Sequence, residues 1–96
     1  MEVLIAYDVA TETPGGQRRL RRVAKLCVAH GQRVQKSVFE CTLTEVQLEG
    51  LLHHLLEVID DEDDSLRVYR LREPRERYVR IYGVRPGVDF NAPLIV

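Results

Sequence analysis

Tryptophan is absent from this 96-residue chain, and only six side chains are aromatic, four tyrosines and two phenylalanines. So few aromatics, with no ladder motif among them, do not describe a base-stacking platform. Tyr7, Tyr69, Tyr78 and Tyr82 read as packing residues, and no RNA-recognition-motif signature is present. Cysteine is nearly as scarce. Cys27 and Cys41 are too few for a disulfide framework and lack the close spacing of a zinc or redox pair, so both read as small core residues. Long apolar runs are missing too. Stretches such as Val3 to Tyr7 fall far short of the ~20 residues of a membrane-spanning helix. Met1-Glu2 opens into a strand-like run without a signal-peptide charge pattern, which points to a cytoplasmic protein that contacts no membrane. No period of roughly 20–50 residues repeats, which excludes solenoids and propellers.

The most informative absence is local. Residues 37–66 contain no lysine or arginine and nine acids, whereas residues 1–36 and residues 67–96 each carry seven basic and three acidic side chains. The net charge of −1 hides this pattern. Two basic regions separated by an acidic one are the kind of asymmetry that marks nucleic-acid contact, so binding is expected to be salt-sensitive despite the acidic total. Arginine outnumbers lysine 12 to 2, which suits bidentate phosphate contacts, although surface stability or base composition of the gene produces the same bias. A chain of this length forms one domain and buries only roughly 60–65% of its unfolded surface, so a second subunit is a natural source of further burial.

Val3 to Tyr7 lacks polar alternation and reads as a central strand covered on both faces, with Asp8 at its end. Ala10 to Gly16 is loop chemistry, and Gly15-Gly16 reads as a hinge beside Asp8. Leu20, Val23, Ala24 and Cys27 recur on one helical face, and Gly31 stands where a left-handed helix stop is expected. Opposite that face, Arg18, Arg22 and Lys25 form a single-signed stripe flanked by Arg21 with no i,i+4 acid partner. Residues 33–41 are strand-like with a change of phase at Lys36-Ser37, which leaves a bulge and a tight hairpin both open. Thr44 with Gln47 is a capping-box pattern opening a helix whose Leu48, Leu51, Leu52, Leu55 and Ile59 share a face. The run Asp60 to Asp64 reads as a solvated loop leading through Ser65 into the alternating strand Leu66 to Leu71, and Tyr78 to Val84 reads as a further strand. Two helices alternating with four or five strands predict an α+β ferredoxin-like βαββαβ sandwich with an extra C-terminal strand. Residues 1–96 form the single domain, and residues 85–96 are a tail expected to pack on the partner of a homodimer, which would also cover the sheet face without helices.

Tyr7-Asp8-Val9, the helix Arg18 to Lys25, the run Gly31 to Cys41 with its Arg-Val-Gln-x-Ser-Val-Phe-Glu core, and Asp64 to Leu71 together resemble the CRISPR-associated protein 2 family over residues 2 to about 84. The resemblance implies a homodimeric ferredoxin-like protein of prokaryotic antiviral defence. Members are metal-dependent endonucleases on single-stranded RNA or double-stranded DNA. They also serve as the central dimer bridging CRISPR-associated protein 1 integrase subunits during spacer acquisition.

For Asp8 the residues alone leave two readings open, a loop-capping carboxylate and a functional one. The resemblance favours the second, because the family's metal-binding aspartate occupies this strand-end position; it implies Asp8 as catalytic residue and Mg2+ ligand. Mg2+ typically takes one or two carboxylates and keeps several waters, so two Asp8 side chains across a dimer axis would share one ion, which would activate water and neutralise phosphate charge. Arg18, Arg19, Arg22 and Arg33 are the expected nucleic-acid contacts. Tyr7 and Phe39 are expected as structural residues near the site, Phe39 in the core in preference to the dimer interface. Glu49, His53 and Glu57, with His54 beside them, read as a solvated helix face without the H-E-x-x-H pattern of a metal site. A metal-dependent nuclease is the expected function, a non-catalytic dimeric adaptor holding duplex DNA between integrase subunits is its alternative, and a small-molecule regulatory domain rests on fold analogy alone.

Overall fold

The computed structural model describes residues 1–84. Strand β1 (Glu2–Asp8) is followed by helix α1 (Pro14–Val28), strands β2 (Gln32–Gln35) and β3 (Val38–Thr42), helix α2 (Glu45–Val58), strand β4 (Ser65–Leu71) and the single turn α3 (Arg75–Tyr78). The four strands form one antiparallel sheet in the order β2-β3-β1-β4. Each long helix therefore connects strands that are not neighbours, the split βαβ arrangement of a ferredoxin-like α+β fold.

Alternation along β1 divides its side chains cleanly. Val3, Ile5 and Tyr7 are buried, while Leu4 and Ala6 are half-buried and Asp8 is exposed. The buried set packs with Phe39 and Cys41 of β3, Val23 and Cys27 of α1, and Leu48, Leu51, Leu55 and Val58 of α2, which places both helices on one face. Among the described residues the opposite, open face carries neither long helix. On it the register aligns Glu2, Leu4, Ala6 and Asp8 with Leu71, Tyr69, Arg67 and Ser65 of β4, and Glu2, Leu4 and Ala6 with Thr42, Glu40 and Val38 of β3.

Local chemistry sets the element ends. Thr13 caps α1 through its Oγ1, which accepts from the Gly16 N–H at 3.0 Å, and Pro14 occupies the first helical position. The helix thus begins inside the segment expected to be loop, and Gly16 is no hinge. It is buried, and a Cβ there would lie 1.9 Å from the Ala10 carbonyl oxygen. Thr44 and Gln47 form the complete capping box of α2. Gly31 departs from expectation as well. Its φ is not positive, Ala29 caps α1 in right-handed geometry, and glycine serves to let the backbone pass Cys41, whose Sγ would stand 2.3 Å from an added Cβ. Residues 32–42 combine both open alternatives, a hairpin turning at Lys36-Ser37 with a register shift between Arg33 and Gln35.

The expected strand from Tyr78 to Val84 is not formed. Residues 75–78 make a helical turn, residues 79–84 pair with no described strand, and Ile81, Tyr82 and Val84 stand exposed. The alternating pattern meets a strand's side-chain requirement but not its need for a neighbouring edge. The extra strand is therefore absent from the sheet of the described residues, and the expected tail at residues 85–96 lies outside them.

Candidate metal and nucleic acid site

Asp8 closes β1 at a place where both neighbouring strands also end. On one side its register partner is Ser65, the first residue of β4; on the other the Tyr7 N–H donates to the Ser37 carbonyl at 3.0 Å, at the β2–β3 turn. Strand parity puts the Asp8 side chain on the open face and Tyr7 in the core. No ion pair engages Asp8 among the described residues. Nor do three His, Cys, Asp or Glu side chains gather into a metal cluster among them. A single exposed carboxylate fits a divalent cation that keeps most of its waters, and a closed, fully protein-ligated site is not on offer.

Tyr7 stacks on Phe39 with ring centroids 6.2 Å apart and planes at 20°, and its hydroxyl donates to the Lys36 carbonyl at 3.4 Å. The Arg33 guanidinium lies over the Phe39 ring, 5.1 Å from its centroid. Burial raises the Tyr7 phenol, and its contact with Arg33 opposes the rise. These three residues thus form one stack at the hairpin. Tyr7 and Phe39 belong to its buried part, while Arg33 is exposed.

The helix cations divide. Arg18, Arg21, Arg22 and Lys25 are exposed along α1. Arg19 is not a member of that row, because its Nε donates to Asp64 Oδ2 at 2.8 Å and its second guanidinium contact reaches Oδ1 at 3.3 Å. Asp64 itself overturns the expectation that residues 60–64 are uniformly solvated. Its side chain is 0% exposed, and it also accepts from the Ala10 N–H at 3.0 Å and the Asp60 N–H at 2.9 Å. These contacts, the Arg19 bond foremost, hold the Asp64 carboxyl down at about 2. Nothing in a run of five acids marks the last one. Only the topology, which brings the α2–β4 loop against the start of α1, tells it from its neighbours.

Two further residues escaped the sequence reading. Arg67 sits opposite Ala6 on the same open face as Asp8, with NH1 donating to the Tyr69 hydroxyl at 3.1 Å. Arg75 reaches Glu40 of β3 and pairs with it, tying α3 to that face. Alternation along residues 65–71 was visible in the sequence, but which side of β4 faces away from the helices follows only from its register with β1.

The comparisons with known proteins agree with this architecture. Residues 1–79 match the family model of CRISPR associated protein Cas2. The chain is 57% identical over its full length to the full-length CRISPR-associated endoribonuclease Cas2 1 of Moorella thermoacetica. It is 50% identical to the CRISPR-associated endonuclease Cas2 of Halalkalibacterium halodurans, over 99% of each chain. Among solved structures, Cas2 of Streptococcus pyogenes superposes with a TM-score of 0.77 at 52% identity, covering 86% of this chain and 100% of the other. With the sheet order and the matched residues in agreement, the chain belongs to the CRISPR-associated Cas2 family.

Proposed function

We propose that the protein is a metal-dependent phosphodiesterase of the CRISPR system, acting on single-stranded RNA or double-stranded DNA, in which Asp8 holds a Mg2+ ion. The observation that carries the reading is the placement of Asp8: an exposed carboxylate, without an ion pair among the described residues, at the end of a sheet whose open face is covered by neither long helix among those residues. That face presents half-buried Leu4, Ala6, Val38 and Leu71 beside partly exposed Tyr69. A second copy packed on it would bury this apolar surface and bring a second Asp8 towards the first. When bound, the cation would supply charge neutralisation on the scissile phosphate and acidify a water. Asp8 would hold that ion from the strand end. Arg67, on the same face, would contact a phosphate oxygen, whereas Arg33 lies over Phe39 on the helix side of the sheet and would meet nucleic acid from there. Names given to the relatives, endoribonuclease and endonuclease, support hydrolysis of nucleic acid. Paired assays of wild type and Asp8→Asn on RNA and duplex DNA, with and without Mg2+, test the proposal. Cleavage lost on omitting Mg2+ and reduced at least a hundredfold by Asp8→Asn is expected, and an Asp8→Asn protein as fast as wild type would refute it.

The adaptor reading is favoured by a different observation. Arg18, Arg22 and Lys25 stand on the helix layer while the Asp8 side chain belongs to the opposite face, so duplex binding along α1 need not involve Asp8. Under it, a dimer bridging CRISPR-associated protein 1 integrase subunits would support spacer acquisition with Asp8→Asn and fail when Arg18 and Arg22 are reversed in charge.

A further inference from the structure

Two contacts fix the backbone of Ala10, two residues after Asp8. The Ala10 N–H is taken by Asp64 Oδ1 at 3.0 Å. The Ala10 carbonyl oxygen lies against Gly16 so closely that a Cβ there would come within 1.9 Å of it. The same Asp64 carboxylate binds Arg19 of α1 and the Asp60 N–H of its own loop, and the Asp64 N–H in turn donates to the Asp60 carbonyl at 2.8 Å. Asp64 also directly precedes Ser65, the register partner of Asp8. A fully buried carboxylate thus ties the strand end, the first helix and the α2–β4 loop together, two residues from the exposed one.

We infer that Asp64 is a positioning residue for Asp8: by clamping the Ala10 peptide between its own carboxylate and Gly16, it holds the strand-end loop so that the Asp8 carboxylate is presented in one fixed place on the open face. The inference rests on the metal-site reading of Asp8. Its physical basis is preorganisation. A group that binds a cation weakly, through one carboxylate, loses affinity when the backbone carrying it samples several orientations. Asp64→Asn keeps the size of the side chain but presents an NH2 group where donors from Arg19, Ala10 and Asp60 now converge, so at least one donor is released.

The test compares wild type, Asp64→Asn and Leu48→Ala, the last a core substitution in the first turns of α2 that lowers stability without touching this loop. Amide hydrogen exchange at Ala10, Mn2+ affinity from water-proton relaxation, and kcat on RNA are measured well below each protein's Tm. Asp64→Asn is expected to speed Ala10 exchange at least tenfold, weaken Mn2+ binding at least fivefold and lower kcat, while Leu48→Ala, at whatever stability loss, leaves all three within twofold of wild type. Unchanged Ala10 exchange in Asp64→Asn would overturn the clamp. Faster exchange with wild-type Mn2+ affinity would overturn the positioning role, as would equal changes in Leu48→Ala. Asp8→Asn separates the two claims. Wild-type Mn2+ affinity in that variant refutes the metal reading of Asp8, whereas weakened binding there with wild-type affinity in Asp64→Asn refutes the role of Asp64 alone.

Discussion

Two aspartates, Asp8 and Asp64, differ because one ends a strand facing outward and the other is enclosed by donors. The enclosure has a pH signature. The Asp64 carboxyl is held at about 2 against an ordinary value of 3.8, first by Arg19 and then by backbone N–H groups, with desolvation opposing them. A carboxyl depressed in the folded state contributes stability that is fully present above the unfolded value, and that contribution fades as pH falls towards the folded value. Urea midpoints of wild type and Asp64→Asn should therefore differ at pH 6 and converge as the pH is lowered from about 4 to about 2; a constant difference across that window would show that the charge is not what Asp64 contributes. Residues of this kind set the limit of sequence reading. The place of Asp8 at the end of β1 was legible because the apolar run stops at it, and the family resemblance drew attention to that position. Asp64 was not, since its burial is created by Ala10, Arg19 and Asp60, which lie up to 54 positions away. Arg19 was misplaced for the same reason: adjacent cations on a helix look alike until one of them finds an acid on another element.

At the level of elements, helix α2 was the most readable part of the chain. Its capping box and its Leu48, Leu51 and Leu55 stripe are statements about residues three and four apart, and both appear in the structure. The cap is exposed and reciprocal, so Thr44→Ala should cost about 1 kcal/mol of unfolding free energy by urea titration. It should leave nucleic-acid cleavage unchanged, because α2 begins at the end of the sheet away from Asp8. Glycines were less readable. Gly16 and Gly31 are required by close approaches to Ala10 and to the Glu40-Cys41 segment, and neither spacing belongs to the three- and four-residue pattern that a helix reading uses. The segment from Tyr78 to Val84 shows the converse problem. Its alternation is a property of its own residues, but a strand also needs an edge to pair with, and among the described residues none takes it.

For the whole molecule, the charge blocks translate into surfaces. The first basic block supplies the exposed row on α1 and Arg33 at the hairpin. The second places Arg67 on the open face and Arg75 against Glu40. The acidic block falls on α2 and the loop after it. Phosphate contacts from the α1 row should release counterions, so replacing Arg18 and Arg22 by alanine should lower the slope of log affinity against log salt by about 2 for duplex DNA. An unchanged slope in titrations from roughly 50 to 200 mM salt, the range over which such contacts respond, would place the bound strand elsewhere. The composition of the open face was the part of the fold least available from sequence. Composition and length indicated that a small domain gains from a second copy, but only the register of β1 with β3 and β4 shows which residues lie on the face without helices.

That register carries a consequence for how such a protein can change over time. Tyr7 and Asp8 are consecutive, and the two-residue period of a strand sends them to opposite sides of the sheet. Inserting or deleting one residue within β1 would exchange them, driving a carboxylate into the core beside Phe39 and leaving the aromatic ring in water. Fold and chemistry would be lost in a single event. Substitutions can accumulate along this strand one at a time, but its length is locked, so variation in length among descendants of this chain should fall in the loops and the C-terminal region and spare Glu2–Asp8.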